Sequence, residues 1–174
     1  MRCKPQKVIH KTHGDTWTFV RIGAAQALAQ QDAGGPADKA LILALEDKSN
    51  KVRRAVLRSL GERKTLAAGE AIHEIADNPK EPVSVRTAAI AALGDLCRMD
   101  SVEFLYKLAL RAGYQQLPYD QPLGLAALAA IGELVPKDMG ERLAPLLAND
   151  ERVPRLVRSI AKDVMSRTGS CSAR

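Results

Sequence analysis

Apolar or small residues recur at the first, fourth, fifth, eighth and ninth places of four windows, residues 20–28, 52–60, 85–93 and 123–131. That spacing is the stripe of an amphipathic helix. The windows end at Leu28, Leu60, Leu93 and Ile131, giving steps of 32, 33 and 38 residues. A fifth, weaker copy covers 153–164, with Leu156, Val157, Ile160 and Ala161 on its apolar side. Recurrence at this period defines a repeat array in which each unit must cover its neighbour's apolar face.

Shorter helices are predicted between the windows, at 37–46, 66–76, 102–111 and 139–148. Gly34-Gly35-Pro36 opens one and Asn78-Pro79 closes another. Ser101, Asp138 and Asp150 stand where an N-cap oxygen would accept the free amides of a first turn. Helices joined by such short turns lie antiparallel, so the predicted fold is all-α: an α-solenoid of about five stacked antiparallel helix pairs. It occupies 17–168, after a basic flexible segment at 1–16 and before a polar tail at 169–174.

The second helix of each pair reads close to Val-Arg-x-Ala-Ala-x-x-Ala-Leu-Gly. Residues 85–94 fit that string without departure, and 52–61 fit with Val56 and Ser59 substituted. The chain resembles HEAT repeats here, in particular the compact HEAT-like form of phycobilisome lyases. The resemblance implies a polar ladder in which an Asp six residues before each Arg pairs across repeats. Asp15 with Arg21 and Asp47 with Arg53 keep the spacing; Arg86 has Lys80 at that place, and the fourth copy has Gly124 instead of Arg. These arginines are read as structural.

Aromatic residues make up 3% of a chain that is 46% hydrophobic, leaving small aliphatic side chains to fill closely packed helices. The longest apolar run, 123–131, is too short to span a bilayer, and the basic, polar first sixteen residues do not read as a secretion signal. Cys3, Cys97 and Cys171 show no paired spacing, which points to unpaired thiols in a reducing, cytoplasmic compartment. The net charge of +6 sits at the ends: residues 1–16 hold four bases and one acid and 151–174 hold six and two, against sixteen bases and seventeen acids between. A phosphate-tracking groove needs cations along the stack, so nucleic-acid binding through the basic ends ranks last among the functions weighed.

The third, sixth and seventh places of the windows turn away from the stripe and, by the resemblance, line the concave surface. There Leu57, Ile90 and Leu128 form an apolar row beside Arg54, Arg58 and Leu125, suited to a partner peptide or helix carrying acidic residues; the alternative is that the row is half-buried between adjacent second helices. The 113–122 stretch accounts for the 38-residue step. Its Tyr114 and Tyr119 are either interface anchors or part of a longer turn packed on its own repeat.

No catalytic constellation or cofactor site is expected. Cys3, His10 and His13 offer three ligands where a structural zinc takes four, and the His73-Glu74 pair occurs once, unlike the repeated pairs of the HEAT-like deoxyhypusine hydroxylases. The leading function is a protein-interaction scaffold; the alternative implied by the resemblance is a bilin or cofactor lyase.

Overall fold

The computed structural model describes residues 17–31, 35–114, 117, 119–167, 169 and 171. The 1–16 segment, with Cys3, His10, His13 and Asp15, lies outside them. Among the described residues the chain is all-α, with nine α-helices and no strand: α1 Thr18–Ala29, α2 Pro36–Ala44, α3 Asn50–Glu62, α4 Gly69–Asp77, α5 Val83–Asp95, α6 Val102–Tyr114, α7 Asp120–Leu134, α8 Met139–Leu147 and α9 Arg155–Met165. Consecutive helices pack on each other as in an α-solenoid. The odd-numbered helices carry the five windows and α2, α4, α6 and α8 are their shorter partners, so four pairs follow a leading α1. The packing divides the chain into two compact units, Met1–Ala92 and Leu93–Arg174, with α5 running across the division.

In the first unit α2 and α3 pair, and α1 lies against α3. In the second, α6 pairs with α7 and α8 with α9, and α7 also packs on α9. Each window's ninth residue is buried, and so are the first residues Val52, Val85 and Leu123. Val20, the first residue of the α1 window, is 46% exposed; no preceding partner helix is among the described residues. In the fifth copy Val157, Ala161 and Val164 form the buried side, while Leu156, expected there, is 52% exposed. The buried arc of α9 faces α7 and α8 together and so is turned from the one its own stripe suggests.

Three non-glycine residues have a left-handed backbone: Lys64 at φ 54°, Cys97 at φ 57° and Val135 at φ 45°. They lie four residues beyond Leu60, Leu93 and Ile131, so the same corner recurs at the repeat period. At the first two the chain closes a Schellman turn. Lys64 N–H donates to the Gly61 carbonyl (2.9 Å) and Thr65 N–H to Leu60 (3.0 Å), while Cys97 N–H donates to Gly94 (3.0 Å) and Arg98 N–H to Leu93 (3.1 Å). At the third, Val135 N–H donates to Ile131 (2.8 Å). These bonds satisfy the last carbonyls of α3, α5 and α7.

Of the expected caps, Asp138 makes no cap bond and instead accepts from the Tyr106 hydroxyl (3.2 Å), and Asp150 accepts from Arg152 N–H (2.9 Å) ahead of the helix. The extra residues of the 38-residue step largely lengthen helices: α6 has 13 residues where α2 and α4 have 9, and α7 has 15 where α3 and α5 have 13.

The departure at Gly124 has a steric cause. A Cβ there would overlap that of Ala112 and stand 2.7 Å from the Leu108 carbonyl oxygen, so α6 and α7 approach too closely for any side chain, least of all arginine. Gly124→Ala should therefore cost about 2 kcal/mol and lower the melting temperature by roughly 4–8 °C. Gly23→Ala, in the exposed middle of α1 with nothing within 4 Å, should raise stability by about 0.5–1 kcal/mol. Thermal melts followed by circular dichroism check both.

Candidate functional site

A chain of buried guanidinium groups runs through the first unit. Arg21 donates from Nε to Asp47 Oδ2 (2.7 Å) and from a terminal nitrogen to Oδ1 (3.1 Å), with 5% and 7% of the two side chains exposed. Arg53, the next rung, donates to the Asp47 backbone carbonyl (2.8 Å) and to Glu81 Oε2 (2.6 Å). Arg86 donates from Nε to the Ala76 carbonyl (2.9 Å). Arg21 and Arg53 thus reach the loops ahead of α3 and α5, and Arg86 reaches the last turn of α4. Glu81 supplies the rung expected one residue earlier, where Lys80 stands exposed. The Asp15 end lies outside the described residues.

Sequence reading missed a fourth member of this network, Arg63. Its guanidinium donates to the Leu28 carbonyl (2.8 Å), the Gln31 carbonyl (2.5 Å) and Asp38 Oδ1 (2.6 Å). It thereby closes the C-terminal end of α1 and ties it to the first turn of α2. It lies three residues past Leu60, where the other copies carry Leu96 and Leu134, so the repeat pattern gave no sign of it.

The apolar row is core. Leu57, Ile90 and Leu128 have no exposed surface, and Ala25 at the same place in α1 has none either. This corrects the expected docking surface and goes further than the half-burial weighed beside it. In the first unit α3 is flanked by α2 and α1 together, so the sixth place faces protein while the fourth, Ala55, is half-buried. Leu125 is half-buried, and Tyr114 and Tyr119 are each 41% exposed. Arg152 lies over the Tyr114 ring, 5.6 Å from its centroid, and pairs with Asp150 at 2.8 Å; that arginine holds the Asp150 carboxyl below its ordinary range. Asp120 is buried, accepting from Leu117 N–H (2.9 Å) and pairing with Arg111 (2.7 Å), which anchors the loop from beneath.

On α3 the first unit exposes a row of cations. Lys51, Arg54 and Arg58 follow each other at i, i+3 and i+7 along α3, all exposed, and form no ion pair among the described residues. The neighbouring α1 holds no acidic residue. At the chain's basic C-terminal end two of the arginines have internal partners. Arg167 pairs with Asp163 (2.8 Å) and Glu133 (3.9 Å), and Arg158 donates to the Asp150 carbonyl.

Two features remain. Tyr106 is fully buried against Asp138 and Arg142, the latter 4.6 Å from its ring centroid, and burial followed by the Asp138 charge pushes its hydroxyl pKa well above the ordinary value. Cys97 and Cys171 are joined in a disulfide with their Cα atoms 5.6 Å apart, against the expected unpaired thiols, and the argument for a reducing compartment loses its premise. Closing a loop of 74 residues is worth about 4 kcal/mol in the chain-entropy picture. No described helix is long and apolar enough to cross a membrane, and no group of three or more His, Cys, Asp or Glu among the described residues is placed to hold a metal.

The family model for HEAT repeats matches residues 37–117, which run from α2 to the loop after α6. That stretch is built of HEAT-like repeats. No curated protein matches the chain.

Asp47 is the acid on which the polar network turns, since it accepts from Arg21 and from Ser49 N–H (2.8 Å) while its own carbonyl accepts from Arg53. Asp47→Ala removes this carboxylate from a buried guanidinium and should cost about 3 kcal/mol, with Asp47→Asn intermediate because it still accepts hydrogen bonds. Urea unfolding of the three proteins checks the order.

Proposed function

We propose that this chain is a protein-interaction module that holds an acidic segment of a partner protein against the exposed face of α3. HEAT repeats commonly serve as protein-interaction scaffolds, and the observation that selects this face is the exposed row of Lys51, Arg54 and Arg58, which forms no ion pair among the described residues. Three cations in two helical turns match carboxylates at the same spacing on a partner helix, or an extended acidic stretch. Arginine suits the task, because its planar fork meets a carboxylate with two parallel bonds. Leu57 beneath is fixed in the core, so the recognition is polar and electrostatic, with a marked salt dependence. Three charges on one helix fall short of the continuous track a phosphate backbone requires.

Cross-linking affinity purification from the source cell, with nuclease added, tests the reading. The wild type should recover an acidic partner that is lost on raising the salt to about 0.5 M, and Arg54→Glu/Arg58→Glu should recover at least tenfold less with its helical circular dichroism intact. A folded double variant that recovers the partner as well as wild type overturns it.

A further inference from the structure

The left-handed corners at Cys97 and Val135 are successive corners of the repeat, and both belong to the second unit. The chain returns to both after α9. Cys171 N–H donates to the Glu133 carbonyl (3.3 Å), its Sγ lies 3.6 Å from the Gly94 carbonyl oxygen, and the disulfide joins it to Cys97. Gly169 sits so close to this edge that a Cβ would overlap the Glu133 carbonyl oxygen and the Val135 side chain. At the matching corner of the first unit, Lys64 is exposed.

The bond is placed so that it can open without dismantling what it crosses. The turn that seats Cys97 is closed by its own backbone hydrogen bonds to Gly94 and Leu93. The fully buried apolar side chains of the second unit, Leu105, Leu123, Ile131, Leu143 and Val157 among them, belong to the helices and not to the returning segment. Both cysteines are partly exposed, so a thiolate in solution can reach the bond.

We propose that Cys97 and Cys171 form a redox-cleavable clasp that pins the C-terminal segment across the ends of α5 and α7 when oxidised and frees it when reduced, the helices staying folded in both states. The exchange balances with a small thiol as reductant. One thiolate attacks a sulfur of the protein disulfide and a second resolves the mixed disulfide, leaving two cysteine thiols and one small-molecule disulfide; oxidised glutathione runs it backwards. Freed, the segment uncovers the Glu133 carbonyl and the Val135 side chain and becomes open to proteolysis after Arg167.

The full chain is equilibrated with oxidised glutathione or with dithiothreitol, and cysteine alkylation with peptide mass spectrometry reports the bond. Three results are expected. The oxidised form yields the linked Cys97 and Cys171 peptides and melts roughly 10 °C higher. The reduced form keeps its helical circular dichroism at 20 °C but is cut by trypsin after Arg167 at least tenfold faster, and Cys171→Ser behaves as the reduced form under both conditions. The proposal is overturned if both cysteines alkylate freely after oxidation or if cleavage after Arg167 ignores the redox state. Loss of helix on reduction also overturns it, by making the bond a structural cross-link.

Discussion

A second helix in this fold must satisfy more than one neighbour at once, and the rest of the structure follows from that demand. One stripe serves a helix lying on a single partner. Here α3 meets α2 and α1, and α7 meets α6 and α9, so the apolar arc extends to the sixth place of each window. Wide burial leaves little room for bulk. Alanine and glycine carry the closest approaches, Gly124 against Ala112 and Gly94 against Ala130, where a Cβ on Gly94 would come within 3.0 Å of the Ala130 Cα. The 3% aromatic content reflects the same crowding.

Burial on several sides creates the polar problem the arginines solve. A helix covered by others has carbonyls near its ends that water cannot reach, and a guanidinium can donate to several of them while its charge is met by one loop carboxylate. Arg63 does this for α1, and Arg53 joins a loop carbonyl to Glu81. Thr18 and Thr65 hydroxyls and the Nε atoms of Arg53 and Arg158 remain buried without a partner, so the network is nearly but not wholly complete.

The repeat period, the helix identities and most element bounds were legible in the sequence because each is written locally, in the spacing of apolar residues along one helix. Features set by two elements were not. The sixth place looked exposed because a single stripe cannot register a second neighbour, and this displaced the candidate surface from Leu57 and Ile90 to the cations that flank them. Glu81 was missed by one residue because the conformation of the loop before α5, which decides the side chain that meets Arg53, is not written in the helical spacing. The disulfide depends on a corner at Cys97 and a returning segment 74 residues later, a proximity that no local spacing encodes.

The ladder of the first unit also has a direction. Arg21 reaches forward to Asp47 and Arg53 forward to Glu81, so at these two joints the earlier repeat presents a cation and the later one an acid, as a tile with a tongue on one side and a slot on the other. A copy inserted in the same sense would find both halves of its joint waiting, whereas one inserted in reverse would set arginine against arginine. Lengthening by duplication is chemically cheap in such an array and inversion is not, and the polarity of the stack is thereby fixed by charge as well as by helix packing.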